Sequence, residues 1–139
     1  MKNITLTAIL FLLLPFFAQA QLGHSRADIV KSKGNNYESL FTNSGQPYIS
    51  YKSTLHTDAS GNYTNYTCFY FDKKDTCTMV LIIEPLTEIN AWVIYLNKKY
   101  VNTGELTWKD YASNSTVVIK RQQMGAFGDA IALTFEYDN

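Results

Sequence analysis

The sequence lacks any block of like charges. Its 12 basic residues balance its 12 acidic residues, and Lys73-Lys74 and Lys98-Lys99 are only isolated basic pairs. Binding to nucleic acid by neutralising phosphates requires a basic face or stripe. We therefore expect no nucleic-acid partner.

Residues with catalytic or metal-binding chemistry are also scarce. There are only two histidines, and no glycine-rich phosphate loop is present. His56, Asp58 and Ser60 are the residue types of a hydrolytic triad, but they share one loop, where neighbouring side chains rarely converge. The same loop lacks the further acidic ligands of a calcium site. We predict no catalytic residue, no metal and no cofactor; a small secreted hydrolase using His56 is the alternative.

Long apolar runs are absent except at the N-terminus. Residues 4–17 form an apolar region that follows Lys2. The next residues, Ala18-Gln19-Ala20, have alanine at the two positions that signal peptidase recognises. The run is broken by Pro15 and is shorter than the about 20 residues that span a bilayer. No cysteine follows the expected cleavage before Gln21, so a lipid anchor is not expected. We predict a signal peptide at 1–20 and one domain at 21–139, secreted or periplasmic, with no membrane span after cleavage.

Cysteine occurs only twice, as Cys68 and Cys77, on either side of the polar segment 72–75. A turn centred between Asp72 and Lys73 places the two cysteines directly opposite, and one centred on Lys73-Lys74 places them diagonally. Facing Cβ atoms lie about 4.5–5.5 Å apart, and an oxidising compartment favours the bond. We predict a Cys68–Cys77 disulfide; two reduced cysteines packed as small hydrophobic residues are the alternative.

Apolar periodicity predicts two helices and seven strands. Ser25 caps a short helix that ends at Gly34, and Thr87 caps an amphipathic helix of about four turns that closes at 102–104. The predicted strands are 37–42, 48–55, 63–71, 76–84, 106–111, 116–121 and 130–137. Consecutive strands with few helices indicate an α+β fold whose antiparallel sheet, of about seven strands, is covered on one face.

The first helix resembles a motif of the β-lactamase-inhibitor-protein-like fold, which small outer-membrane assembly lipoproteins share. The motif is present as Gly23-x-Ser25, Ile29 and Gly34, whereas Lys33 and Asn36 stand where that family usually has Leu and Pro. The resemblance implies a secreted domain whose sheet face binds other proteins. The signal peptide and the Tyr- and Asn-rich body also resemble small exported proteins of Bacteroidetes-type bacteria, which implies a host and no activity.

Aromatic residues are abundant, with 10 tyrosines and 2 tryptophans. They suit a pleated sheet, where rings pack against cross-strand neighbours. We predict a non-enzymatic binding or envelope-associated protein, whose partner is another protein or a glycan. The candidate binding residues are Tyr48, Tyr66 and Tyr70 with Trp108 on a sheet face, and Trp108 with Tyr111 for a glycan. Ordinary core or cross-strand packing is the alternative for each of them.

Overall fold

The computed structural model describes residues 21–125 and 128–138, so the predicted signal peptide lies outside the described part of the chain. Two helices and eight strands follow one another along it. In chain order they are α1 (Arg26–Lys33), β1 (Glu38–Phe41), β2 (Pro47–Thr57), β3 (Gly61–Phe71), β4 (Cys77–Pro85), a 3-10 turn (Leu86–Glu88), α2 (Ile89–Lys99), β5 (Val101–Gly104), β6 (Thr107–Asp110), β7 (Ser115–Gln123) and β8 (Asp129–Tyr137).

All eight strands form one antiparallel sheet in the order β1-β2-β3-β4-β8-β7-β6-β5. Each half of the chain contributes a four-stranded meander, and β4 and β8 join the two halves at the centre. The short strands β1 and β5 are the two edges. The predicted α+β class with an antiparallel sheet is therefore confirmed. Neither described helix is long and apolar enough to cross a membrane.

The core lies between the two helices and one face of the sheet. Ile29 of α1 and Trp92 and Leu96 of α2 belong to the same buried cluster as the sheet residues. The sheet contributes alternate residues from its central strands, as expected for a half-buried antiparallel sheet. These include Ile49, Phe69, Val80, Ile82, Val117, Ile119, Ile131, Leu133 and Phe135. We call this side the core face and the opposite side the outer face.

Helix α1 has the predicted caps and is joined to the β3–β4 turn. The Ser25 hydroxyl accepts the backbone N–H of Asp28 at 3.1 Å, and Gly34 ends the helix with a φ of 94°. Its first residue, Arg26, forms an ion pair with Asp75 at 2.8 Å. The short helix is therefore held by the sheet, because so few residues do not form a stable helix alone.

Strand β5 brings the number of strands to eight, and it covers residues 102–104, which were predicted to close the second helix. Helix α2 closes when Tyr100 donates its backbone N–H to Leu96, and Tyr100 is already extended. The chain then pairs at once with β6, turning through Leu106 at a φ of 51°. Residues 102–104 are thus strand β5 rather than a helix-closing loop. Local sequence cannot distinguish the two, because β5 exists only through its pairing with β6.

The predicted disulfide is wrong, since both cysteines are free. Asp72 accepts the backbone N–H groups of Lys74 and Thr76 at 2.8 and 3.0 Å, which makes a longer turn than either predicted one. A β-bulge follows it, so that Cys77 pairs with Phe71 while Cys68 pairs with Leu81. The bulge also changes the alternation of β4. As a result Cys77 joins the core, whereas Cys68 belongs to the outer face.

Candidate functional site

The outer face carries a row of large side chains across its first four strands. Register places Leu40 of β1 beside Tyr48 of β2, Tyr48 beside Tyr70 of β3, and Tyr70 beside Met79 of β4. The rings of Tyr48 and Tyr70 stack with centroids 4.7 Å apart and an interplanar angle of 17°. None of these four residues belongs to the buried core cluster. The row is therefore a partly exposed apolar surface on the side of the sheet opposite both helices.

Two further rows extend this surface along the strands. Leu81 of β4 lies beside Cys68, and Ile83 lies beside Tyr66. Leu81, Ile83 and Tyr66 are half-buried, while Cys68 is covered by its neighbours. We call this set the outer-face patch: Leu40, Tyr48, Tyr66, Tyr70, Met79, Leu81 and Ile83. The structure thus brings the three predicted tyrosines to one face and adds aliphatic neighbours that the sequence analysis did not assign to a site.

Tyr70, in the middle of the patch, is neutral at physiological pH. Burial, with smaller contributions from Cys68 and Tyr48, raises the pKa of Tyr70 to about 12. Because a neutral phenol can donate and accept, Tyr70 offers hydrogen bonding beside an apolar ring. Such amphipathic rings are enriched in the centres of protein interfaces.

Ring orientation makes the patch poorly suited to stacking on sugars. The rings of Tyr48 and Tyr70 cover one face of each other, and Leu40 and Met79 stand on their other sides. Carbohydrate stacking needs a flat ring face that is open to solvent.

Trp108 does not belong to the patch. It is 1% exposed in the core, and its indole N–H donates to Asn97 of α2 at 2.8 Å. Its neighbour in β7 is Val117, which is on the core face as well. The alternation of β6 places Trp108 inside, so the predicted pairing of Trp108 with surface tyrosines or with a glycan is corrected.

Tyr111 is exposed but stands apart from the other predicted residues. It follows β6 at the start of the turn to β7 and is 69% exposed. The ammonium of Lys109 lies 5.9 Å from its ring centre. Since β6 and β3 are separated by β4, β8 and β7 in the sheet, Tyr111 cannot act together with Tyr66 or Tyr70 on a small ligand.

The hydrolytic residue types around His56 are not joined into a triad among the described residues. His56 hydrogen-bonds through Nδ1 to the side chain of Asn62 at 2.8 Å. Ser60 bonds instead to Thr87 and to the carboxylate of Glu88. Nucleophilic catalysis needs the base on the nucleophile, and here the serine hydroxyl is engaged with different partners.

The structure reveals a buried pair of carboxyl groups, Glu84 and Glu88, that the sequence analysis did not single out. Both side chains belong to residues that are 1% exposed. Glu88, the last residue of the 3-10 turn before α2, faces inward and accepts from Thr57 at 2.6 Å. Glu84 continues the inward alternation of Val80 and Ile82, which is the signal that could have identified it.

Within the part of the chain that the structure describes, the side chains that donate to Glu84 are neutral. It accepts from Trp92 at 2.5 Å and from Asn65 at 2.8 Å, with the Tyr63 hydroxyl at 3.4 Å. Burial raises its pKa above the ordinary value, and the nearby charge of Glu88 adds to the effect. The pair links the β2–β3 hairpin to the start of α2. Because both groups are closed off from solvent, this arrangement fits a structural role rather than a substrate site.

A shallow cavity of about 520 Å³ lies at the end of the sheet between two turns, lined by residues 44–47, 71–73 and 75. Its acidic groups already serve the fold, since Asp72 organises its own turn and Asp75 pairs with Arg26. The cavity contains none of the predicted binding residues.

Within the described ranges, no three acidic, histidine or cysteine side chains are grouped so that they could hold a metal ion. The most extensive candidate site in this part of the chain is therefore the outer-face patch. Compared with models of known protein families, with curated proteins and with solved structures, the chain shows no significant match.

Proposed function

We propose that this protein is an exported, non-enzymatic binding protein that docks another protein on the outer-face patch. One observation carries the proposal: the patch is a continuous set of partly exposed apolar and aromatic side chains on the sheet face opposite both helices. Contiguous apolar surface of this kind marks interaction sites in soluble proteins. The signal-like N-terminus supports an encounter in the periplasm or outside the cell.

A protein partner is favoured over a glycan by the ring geometry. The stacked Tyr48 and Tyr70 cover one ring face of each other and have Leu40 and Met79 as their next neighbours in register, which leaves less ring face for a sugar. A protein can bury the aliphatic groups and ring edges together and satisfy the phenol hydroxyls with backbone groups. The resemblance of α1 to the β-lactamase-inhibitor-protein-like motif also supports a protein partner, because that fold uses a sheet face for protein binding.

Quantitative capture from an envelope extract tests the proposal. Tyr70→Glu places a charge in the middle of the patch, and Tyr111→Glu makes the same change on an exposed tyrosine far from it. We expect a specific protein that wild type and Tyr111→Glu retain and Tyr70→Glu loses by at least about tenfold, as expected for a buried interface aromatic. Equal capture by all three proteins, or equal loss in both variants, would contradict the proposal. Binding to a glycan array that Tyr70→Glu abolishes would support the glycan alternative instead.

Export is tested separately by the mass of the mature chain. The product recovered from the periplasm or medium should begin at Gln21. A membrane-bound product that retains Met1 would refute the proposed export.

A further inference from the structure

The two edges of the sheet are protected to different degrees. Strand β5 is interrupted by a bulge, which is one common way of preventing edge-to-edge pairing. Strand β1 has the sequence Glu-Ser-Leu-Phe, pairs with β2 without a bulge, and contains neither lysine nor proline. Its Leu40 is 37% and its Phe41 71% exposed. Strand β1 therefore presents a regular edge to another strand, whereas the bulge interrupts the edge of β5.

Backbone geometry identifies which groups of β1 point outward. Thr42 donates its N–H inward to Gln46 at 3.0 Å, and Phe41 stands opposite Pro47, which has no N–H to give. Hydrogen-bonded and non-hydrogen-bonded pairs alternate in an antiparallel ladder. Phe41 and Ser39 are thus the residues whose N–H and C=O groups face away from β2. Two donors and two acceptors are presented to a strand that approaches this edge.

We infer that β1 pairs with β1 of a second copy of the chain in an antiparallel, two-fold register centred on Leu40. In this register Ser39 stands opposite Phe41 of the other copy, so their outward N–H and C=O groups form four reciprocal hydrogen bonds. Each Leu40 meets its counterpart at a non-hydrogen-bonded position, where side chains approach most closely. An isologous contact of this kind closes after two copies.

Charge and side-chain direction favour a second copy as the occupant. Glu38, the single charged residue of β1, stands opposite Thr42 of the other copy rather than opposite another Glu38. The full sequence has no net formal charge and loses a single charged residue, Lys2, if residues 1–20 are removed, so two copies repel each other little at long range. Since Leu40 lies on the outer face beside Tyr48, the pairing also joins the two outer-face patches into one surface. The inference is independent of the proposed function, because it concerns self-association and needs no other partner.

Sedimentation velocity tests the inference on the protein expressed from its full sequence and purified as the host processes it. An interface of one short strand is small, so the measurement extends to about 1 mM. We expect a reversible monomer–dimer equilibrium. Leu40→Lys places two ammonium groups face to face and should weaken the dimer at least about tenfold. The matched control is Val101→Lys, which makes the same change on the β5 edge, where Val101 is 52% exposed, and should have no effect.

Mixing two variants tests the register itself. Leu40→Lys alone and Leu40→Glu alone should both remain monomeric, whereas an equimolar mixture should regain the dimer through opposite charges at the two-fold axis. Circular dichroism and melting temperature establish that each variant is folded. Ser39→Pro tests the same contact. It removes a backbone N–H that faces the second copy and leaves the hydrogen bonds between β1 and β2 in place. A monomeric wild type, a dimer that Leu40→Lys leaves unchanged, equal weakening by Val101→Lys, or a mixture that stays monomeric would overturn the inference.

Discussion

Replacing Glu84 by glutamine should change how the stability of the domain depends on pH. Glu84 is buried and accepts from Trp92 and Asn65. Burial raises its pKa in the folded state, with Glu88 as a further cause. In the unfolded chain it should titrate at about 4.3. Above that pH the unfolded state loses a proton that the folded state still holds, so stability falls as the pH rises towards the folded-state pKa.

The size of the effect follows from the number of protons involved. One proton retained in the folded state lowers the free energy of unfolding by at most about 1.4 kcal/mol for each pH unit between the two pKa values. Glutamine has nearly the same shape but does not titrate. It presents an N–H₂ group where the carboxyl presents an acceptor, which costs about 1–3 kcal/mol at every pH if it finds no acceptor. Near pH 4 the free energy of unfolding of the variant should therefore be equal to or lower than that of wild type. It should then increase steadily relative to wild type as the pH rises.

Urea unfolding at a series of pH values measures this difference, followed by tryptophan fluorescence and checked by far-UV circular dichroism. The plotted quantity is the free energy of unfolding of Glu84→Gln minus that of wild type. Glu136→Gln is the control, because it makes the same substitution at an exposed position on the outer face of β8, away from the buried pair. Glu88→Gln removes a charge that raises the pKa of Glu84. It should therefore narrow the pH range over which the free energy of unfolding falls. Parallel curves for wild type and Glu84→Gln would refute the reasoning.

Three further predictions concern the packing of the domain. Burial raises the pKa of Cys77 to about 12, so without reductant this thiol should resist alkylation in the native protein and react once the protein is denatured; a thiol still blocked in denaturant would indicate a disulfide. Trp108→Ala should cost about 3–5 kcal/mol in urea unfolding, against at most about 0.5 for the exposed Tyr111→Ala; equal costs would place Trp108 outside the core. Gly23→Ala should cost about 1–2 kcal/mol, because Gly23 has a φ of 83° and a Cβ there would lie 2.9 Å from the Tyr137 hydroxyl oxygen; an unchanged melting temperature would contradict that contact.

The buried apolar residues of this domain were largely predictable, because their alternation depends only on the period of a strand. The strand predicted at 130–137 is β8, and its alternating Ile131, Leu133 and Phe135 are buried, whereas Tyr137, which continues the same alternation, is 43% exposed. The caps of α1 at Ser25 and Gly34 were predictable for a similar reason. A cap is a contact between residues three or four positions apart, so it is written in the local sequence.

The features that could not be predicted from the sequence depend on pairing between distant segments of the chain. The bulge opposite Tyr70 and Phe71 separated Cys68 from Cys77 by moving them to different faces, although they are close in sequence. The side-chain alternation of a strand does not show which face of the sheet a helix will cover. From the sequence alone, Trp108 could equally have been a surface aromatic residue.

Local sequence therefore determined the class of fold, most strand positions and the caps of α1, because each depends on neighbouring residues and side-chain period. The predicted Thr87 cap of α2 is wrong, because Thr87 lies within the 3-10 turn and α2 begins at Ile89 with no side-chain cap. Tertiary structure decided the register, the eighth strand and the inward direction of Glu88. It also decided that three tyrosines and the β1 edge share one open surface. Each of these depends on contacts between residues far apart in the chain, whose free energies no local pattern contains.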